Sequence, residues 1–113
     1  SFTCYADYLE LIEYIDFRIL LDVAHLKVSA KTLKINFENE LNRMFDLTDY
    51  IHLSNNDGFH DQNHNLKFEK SMLDILSKQD FKNKTFTLET YCEIEKIKDD
   101  YKFIDKRINN SLI

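Results

Sequence analysis

The chain has no proline, no tryptophan and a single glycine, Gly58. Without proline no turn is preset at φ near −65°, and with one glycine almost every left-handed turn must use another residue. Asn and Asp tolerate that conformation best among side-chain-bearing residues, so Asn36, Asn55, Asn56, Asn83, Asn109 and Asn110 are read as loop or helix-end positions. No apolar run is long enough to span a bilayer, and the first residues lack a signal-peptide pattern. There are two cysteines, Cys4 and Cys92, far apart and without metal-ligand spacing. They read as reduced thiols, which leads to the expectation of a cytoplasmic protein. Excess positive charge is also missing. The formal net charge is −5 and the pI about 5.3. With no tight Lys/Arg cluster, this disfavours nonspecific binding to nucleic acid or an anionic membrane.

What is present is enough for one domain with a modest core: 113 residues, 43% of them hydrophobic. Tyr8, Leu11, Ile12 and Ile15 recur at helical spacing and predict a first amphipathic helix. A strand is expected over residues 17–23, where a short apolar run ends abruptly in Asp22. Residues 25–35 read as a loop. Asn36 is a plausible N-cap for a second helix burying Phe37, Leu41, Met44 and Phe45. A second strand is expected over 49–54, with Ile51 and Leu53 on one face and Tyr50, His52 and Ser54 on the other.

Residues 55–65 are the most polar stretch and read as a loop. A third helix over 68–77 would bury Phe68, Met72, Ile75 and Leu76. A third strand over 85–89 would place Thr85, Thr87 and Glu89 on one face and Phe86 and Leu88 on the other. Thr90 and Glu93 fit a capping box before a long helix with Ile94, Ile97, Tyr101, Ile104 and Ile108 in its stripe, ended by Asn109 and Asn110. Strands separated by helices imply right-handed crossovers and a parallel sheet, hence an α/β fold.

Asp22, His52 and Glu89 each fall at or near the C-terminal end of a predicted strand, about one strand–helix unit apart. Parallel α/β folds bind ligands at that end of the sheet. A carboxylate ending a buried strand is costly without a metal, a cation or hydrogen bonds. Two carboxylates with one imidazole suit a divalent ion such as Mn²⁺, Zn²⁺, Co²⁺ or Mg²⁺, with positions left for substrate. Plainer roles stand beside this one. Asp22 also suits an N-cap, His52 a satisfied core histidine, and Glu89 the cap region of the last helix. His25, His60 and His64 fall in predicted loops, where histidines are commonly only solvated.

Leu21-Asp22-x-x-His25, Tyr50-Ile-His52-Leu-Ser54 and Thr87-Leu-Glu89 together resemble the xylose-isomerase-like TIM-barrel superfamily, which contains sugar and sugar-phosphate isomerases and epimerases and the endonuclease IV type of AP endonuclease. The order and spacing of the motifs carry the resemblance over nearly the whole chain. In the epimerase branch it implies one divalent metal held by Glu, Asp, His and Glu from four strand ends. Asp22, His52 and Glu89 match the last three, and the first would lie on a strand before residue 1. It further implies that His25 contacts substrate and that Glu89 serves as ligand and acid/base group.

A complete barrel of this type needs about 250 residues, so the chain is expected to supply the C-terminal half, a partial barrel over 1–113 with about three parallel strands. The missing half, or self-association, would cover its open edges, and catalysis by this chain alone is not expected. The substrate class implied is a sugar, whose phosphate Lys27 or Lys31 would meet. Two alternatives remain at this point: a non-catalytic fragment or partner subunit, and an AP-endonuclease-like phosphodiesterase. The latter also carries an Asp-x-His, matched here only by Asp61-Gln62-Asn63, and would recruit His60 or His64 to a metal cluster.

Overall fold

The computed structural model describes residues 4–111, with side chains through Arg107. Three strands form one parallel sheet in the order β1-β2-β3: β1 (Ile19–Asp22), β2 (Thr48–Leu53) and β3 (Thr85–Leu88). Among the described residues five helices accompany them: α1 (Tyr5–Ile12), α2 (Val23–Leu33), α3 (Phe37–Phe45), α4 (Lys70–Ser77) and α5 (Ile94–Ser111), with a 3₁₀ turn at Leu66–Phe68. The chain is thus the expected α/β alternation of strands and helices.

Sequential strand order with crossovers of one hand puts every connecting helix on the same side of the sheet. Burial follows that rule. Ile19, Leu21, Ile51 and Leu53 are buried and, with Phe86 and Leu88, pack against Val23, Leu26, Leu41, Phe45, Met72, Leu76 and Ile104 from the helices. Leu20, Tyr50, Thr85 and Thr87, on the opposite face, are exposed. The result is a slab of 43 × 35 × 19 Å, one sheet thick and one helix layer deep. A β/α barrel has this same one-sided covering in each of its strand–helix units.

Phe45, Phe81 and Phe86 anchor the core, with Phe45 and Phe81 edge to face at 5.4 Å. Lys84 caps this corner. Its ammonium donates to the carbonyls of Phe45 (2.7 Å) and Thr48 (2.8 Å), at the C-terminal end of α3.

Several expectations are corrected. Residues 25–35 are not a loop: α2 occupies most of them. Its buried stripe is Val23, Ala24, Leu26 and Ala30, and Lys34 ends it in the left-handed region at φ 58°. In α1 only Tyr8 is buried; Leu11 and Ile12 are exposed and Ile15 lies beyond the helix. Phe68 belongs to the 3₁₀ turn and is exposed, stacked on His64 at 4.1 Å.

Thr90 forms no capping box, since its Oγ1 has no partner and α5 begins at Ile94. In α5, Ile104 is buried while Ile94 and Tyr101 are exposed. The helix runs through Asn109 and Asn110, which therefore do not end it. Asn36 does cap α3, its side chain accepting from Asn39 N at 2.8 Å. The Ile108 side chain lies outside the described residues.

Candidate metal centre

The three strands end in step. Asp22 of β1 is paired in register with His52 of β2, and His52 with Thr87 of β3. Glu89 lies two residues past Thr87, and its backbone N donates to Leu53 O at 3.0 Å, carrying the ladder one step beyond β3. Strand alternation then puts Asp22, His52 and Glu89 on the uncovered face, at the C-terminal end of the sheet.

The side chains converge. One ligand atom from each lies within 4.8 Å of the other two. His52 Nδ1 is 3.2 Å from Glu89 Oε1. Ligands of a tetrahedral Zn²⁺ stand about 3.4 Å apart, from bond lengths of about 2.1 Å, so the widest pair in the cluster would have to close by at most about 1.4 Å, within the reach of side-chain rotation. All three groups are half-buried. Two carboxylates facing one imidazole leave negative charge that a cation would offset. The donor set therefore fits one ion between three strands. Among the described residues no fourth His, Cys, Asp or Glu joins it.

Asp22 has a second duty. It is the N-cap of α2, and its Oδ1 accepts from His25 N at 3.0 Å. The metal-ligand and N-cap readings of Asp22 are thus compatible in one side chain. His25 stands on the first turn of α2, with Nδ1 3.3 Å from Asp22 Oδ2 and Nε2 3.0 Å from Asp61 Oδ1. It adjoins the cluster through Asp22. Beside it a cleft of about 560 Å³ opens along the outer side of β1, lined by Leu20, Leu21, Asp22, His25, Leu26 and Asp61 among others.

The other candidates are placed elsewhere. His60 Nδ1 pairs with Asp57 Oδ2 at 2.8 Å. That bond, with the Phe59 and His60 backbone N–H groups, holds the Asp57 carboxyl well below the usual aspartate range. His64 is stacked on Phe68. Lys27 is spent on structure, its Nζ donating to Asn55 Oδ1 (2.9 Å), Asn56 O (2.6 Å) and Glu69 Oε1 (2.9 Å). Bonds from Ser71 and Lys27 lower the Glu69 carboxyl. The Lys31 ammonium lies 4.5 Å from the Phe59 ring centroid.

Sequence reasoning missed how the 55–65 loop is tied down. Asn55 and Asn56 are fully buried, Asn55 bridges to His64 backbone to backbone, and Asn56 Nδ2 donates to Ala24 O at 2.8 Å. A run of polar residues gives no local signal for such long-range partners. The Asp61–His25 contact was equally hidden, because it joins a loop to a helix that the sequence did not announce. Comparison of the chain with protein-family models, with curated proteins and with solved structures returns no match.

Proposed function

We propose that this chain carries the metal-binding part of a sugar or sugar-phosphate isomerase or epimerase that works by proton transfer through an enediolate. The observation that carries the reading is the convergence of Asp22, His52 and Glu89 at three adjacent strand ends. A divalent ion held there, Mn²⁺, Zn²⁺, Co²⁺ or Mg²⁺, would polarise neighbouring oxygens of a hydroxy-ketone. Asp22 and His52 hold their positions through the sheet register, and Asp22 through its cap as well. Glu89 would serve as ligand and as acid/base group; it lies just past the strand with more exposure than its two neighbours. His25, with Nε2 turned to Asp61 and Nδ1 to Asp22, would hydrogen-bond a substrate oxygen by exchanging one of these carboxylates for the sugar.

The resemblance asks for a second glutamate on the opposite side of the sugar. The described sheet ends at β1 on one edge and β3 on the other, and one face is bare. Further β/α units on those edges, from another polypeptide segment or from self-association, would supply that residue and cover the face. The phosphodiesterase alternative would need His60 or His64 in the cluster, and both have other partners.

Metal analysis of the purified chain tests the reading. Loaded with Mn²⁺ or Zn²⁺ and desalted, it should retain about one ion per chain. Asp22→Ala and His52→Ala should each lower the affinity more than tenfold. Full metal content in both variants would overturn the site. A packing-only role predicts no retained metal, with His52 and Glu89 serving only as each other's partner at 3.2 Å.

A further inference from the structure

β1 and β2 do not keep one register along their length. Ile19 is paired with Thr48, but the next residue, Leu20, is paired with Tyr50. Asp49 is therefore an extra residue in β2, a bulge, and from there the pairing runs unbroken to Asp22 and His52. Bulges are rare between parallel strands and over-represented beside functional sites, where they re-aim a side chain. The burial of β2 shows the same step. Thr48 is fully buried, Asp49 and Tyr50 are both exposed, and burial alternates only from Ile51 onward.

The extra residue decides where His52 points. Thr48 lies on the helix-covered face, paired with the buried Ile19. Strict alternation from Thr48 would turn Ile51 outward beside Asp22 and send His52 into the core. With Asp49 inserted the phase is reversed, Ile51 is buried, and His52 stands beside Asp22.

Thr48 holds this bulge. Its Oγ1 lies 2.5 Å from Ile19 O and 2.8 Å from Tyr50 O, so the hydroxyl proton has a carbonyl on either strand. The same oxygen accepts from Tyr50 N at 3.3 Å, which gives the first N–H beyond the bulge a partner. The Thr48 carbonyl accepts from Lys84 Nζ at 2.8 Å, just before β3. The hydroxyl is thus a buried link between β1 and β2 where their register changes. The other link there, Arg18 to Asp49 at 3.0 Å, is an exposed ion pair of a kind that contributes little. Thr48 is four residues before His52, about 13 Å along the strand, so it acts on the cluster only through the backbone.

We infer that Thr48 is a positioning residue: its hydroxyl holds the Asp49 bulge, and the bulge brings His52 to the face of Asp22 and Glu89. This rests on the proposed metal centre and adds to it a residue at the opposite end of the sheet.

The test is Mn²⁺ binding to the full chain, to Thr48→Val, to Thr48→Ser and to a variant lacking Asp49, each checked for fold by circular dichroism. Titration gives the affinity. Pulsed electron paramagnetic resonance of bound manganese gives ligation by His52, as the nitrogen coupling that His52→Ala removes. Thr48→Val keeps the shape without the hydroxyl and should bind at least about tenfold more weakly, with the coupling lost. The variant lacking Asp49 retains all three ligands and should lose both affinity and coupling. Thr48→Ser should keep both. A hydroxyl that serves stability alone would lower the Tm of Thr48→Val and leave affinity and coupling at wild-type values, and that result overturns the inference. So does a folded Thr48→Ser without the coupling, or a folded variant lacking Asp49 that retains it. If Thr48→Val or the deletion fails to fold, the other decides, with Thr48→Ser beside it. A wild type that takes up no manganese fails the metal reading and this inference with it. One that binds manganese equally well with and without the Thr48 hydroxyl fails the inference alone.

Discussion

Asp100 of α5 is fully buried, and only one of its carboxylate oxygens is used. Oδ2 accepts from Leu66 N at 2.9 Å and Oδ1 has no partner. Desolvation therefore dominates and pushes its pKa above the ordinary 3.8, against the Leu66 bond and the nearby Lys67, while Asp99 adds to the rise. A carboxyl whose folded pKa lies above its unfolded one favours the folded state in its protonated form. Its contribution worsens as pH rises from the ordinary aspartate range through the raised value. Asp57 and Glu69, both lowered, act in the opposite sense, and their contribution is lost as pH falls. Asp100→Asn isolates the first effect. Measured by urea unfolding, the variant should gain on the wild type between pH 4 and pH 7. A difference between the two proteins that is flat over that range would show that the burial of Asp100 carries no proton-linked cost.

At the scale of elements, Asp22 joins two roles that substitutions can separate. Asn caps a helix about as well as Asp, whereas Ala costs about 1 kcal/mol. In the metal-free chain, Asp22→Asn should stay within about 0.5 kcal/mol of wild type while Asp22→Ala loses about 1 kcal/mol. Unfolding in the presence of a chelator reads the cap alone, and equal losses in both variants would show that the α2 cap does not depend on the Asp22 side-chain oxygen.

The same element shows what was legible in the sequence. β2 and β3 were visible because their side chains alternate, and the alternation alone placed His52 and Glu89 on the site face. α2 was not visible. Its buried stripe relies on two alanines, which carry little apolar weight, and its start is hidden in the last residue of a strand. α1 misled in the opposite direction. Its Leu11 and Ile12 keep helical spacing yet remain exposed, because a periodic stripe reports what a helix is able to bury and only its neighbours decide what it does bury. The triad could be proposed from residue types at strand ends, but its closeness depends on a parallel register that only the folded sheet sets.

For the whole molecule, the decisive feature is that β1, β2 and the residue just past β3 each bring one member of the cluster, and that the helices between these strands cover one face. An ion bound there links β1, β2 and β3 across the uncovered side, where the slab has no packing of its own. Binding to the folded state alone adds stability by mass action, about 2.7 kcal/mol at a hundredfold excess over the dissociation constant. For a domain of this size that corresponds to a rise in Tm on the order of 10 °C. Thermal unfolding followed by circular dichroism, with and without Mn²⁺, should show this rise in the wild type. His52→Ala should show at most about half of it, because a loss of affinity of more than tenfold leaves no more than about 1.4 kcal/mol at the same Mn²⁺ concentration. A rise of equal size in His52→Ala would mean that the stabilising ion sits elsewhere, and a wild type indifferent to Mn²⁺ would leave the three strands held by register and core alone.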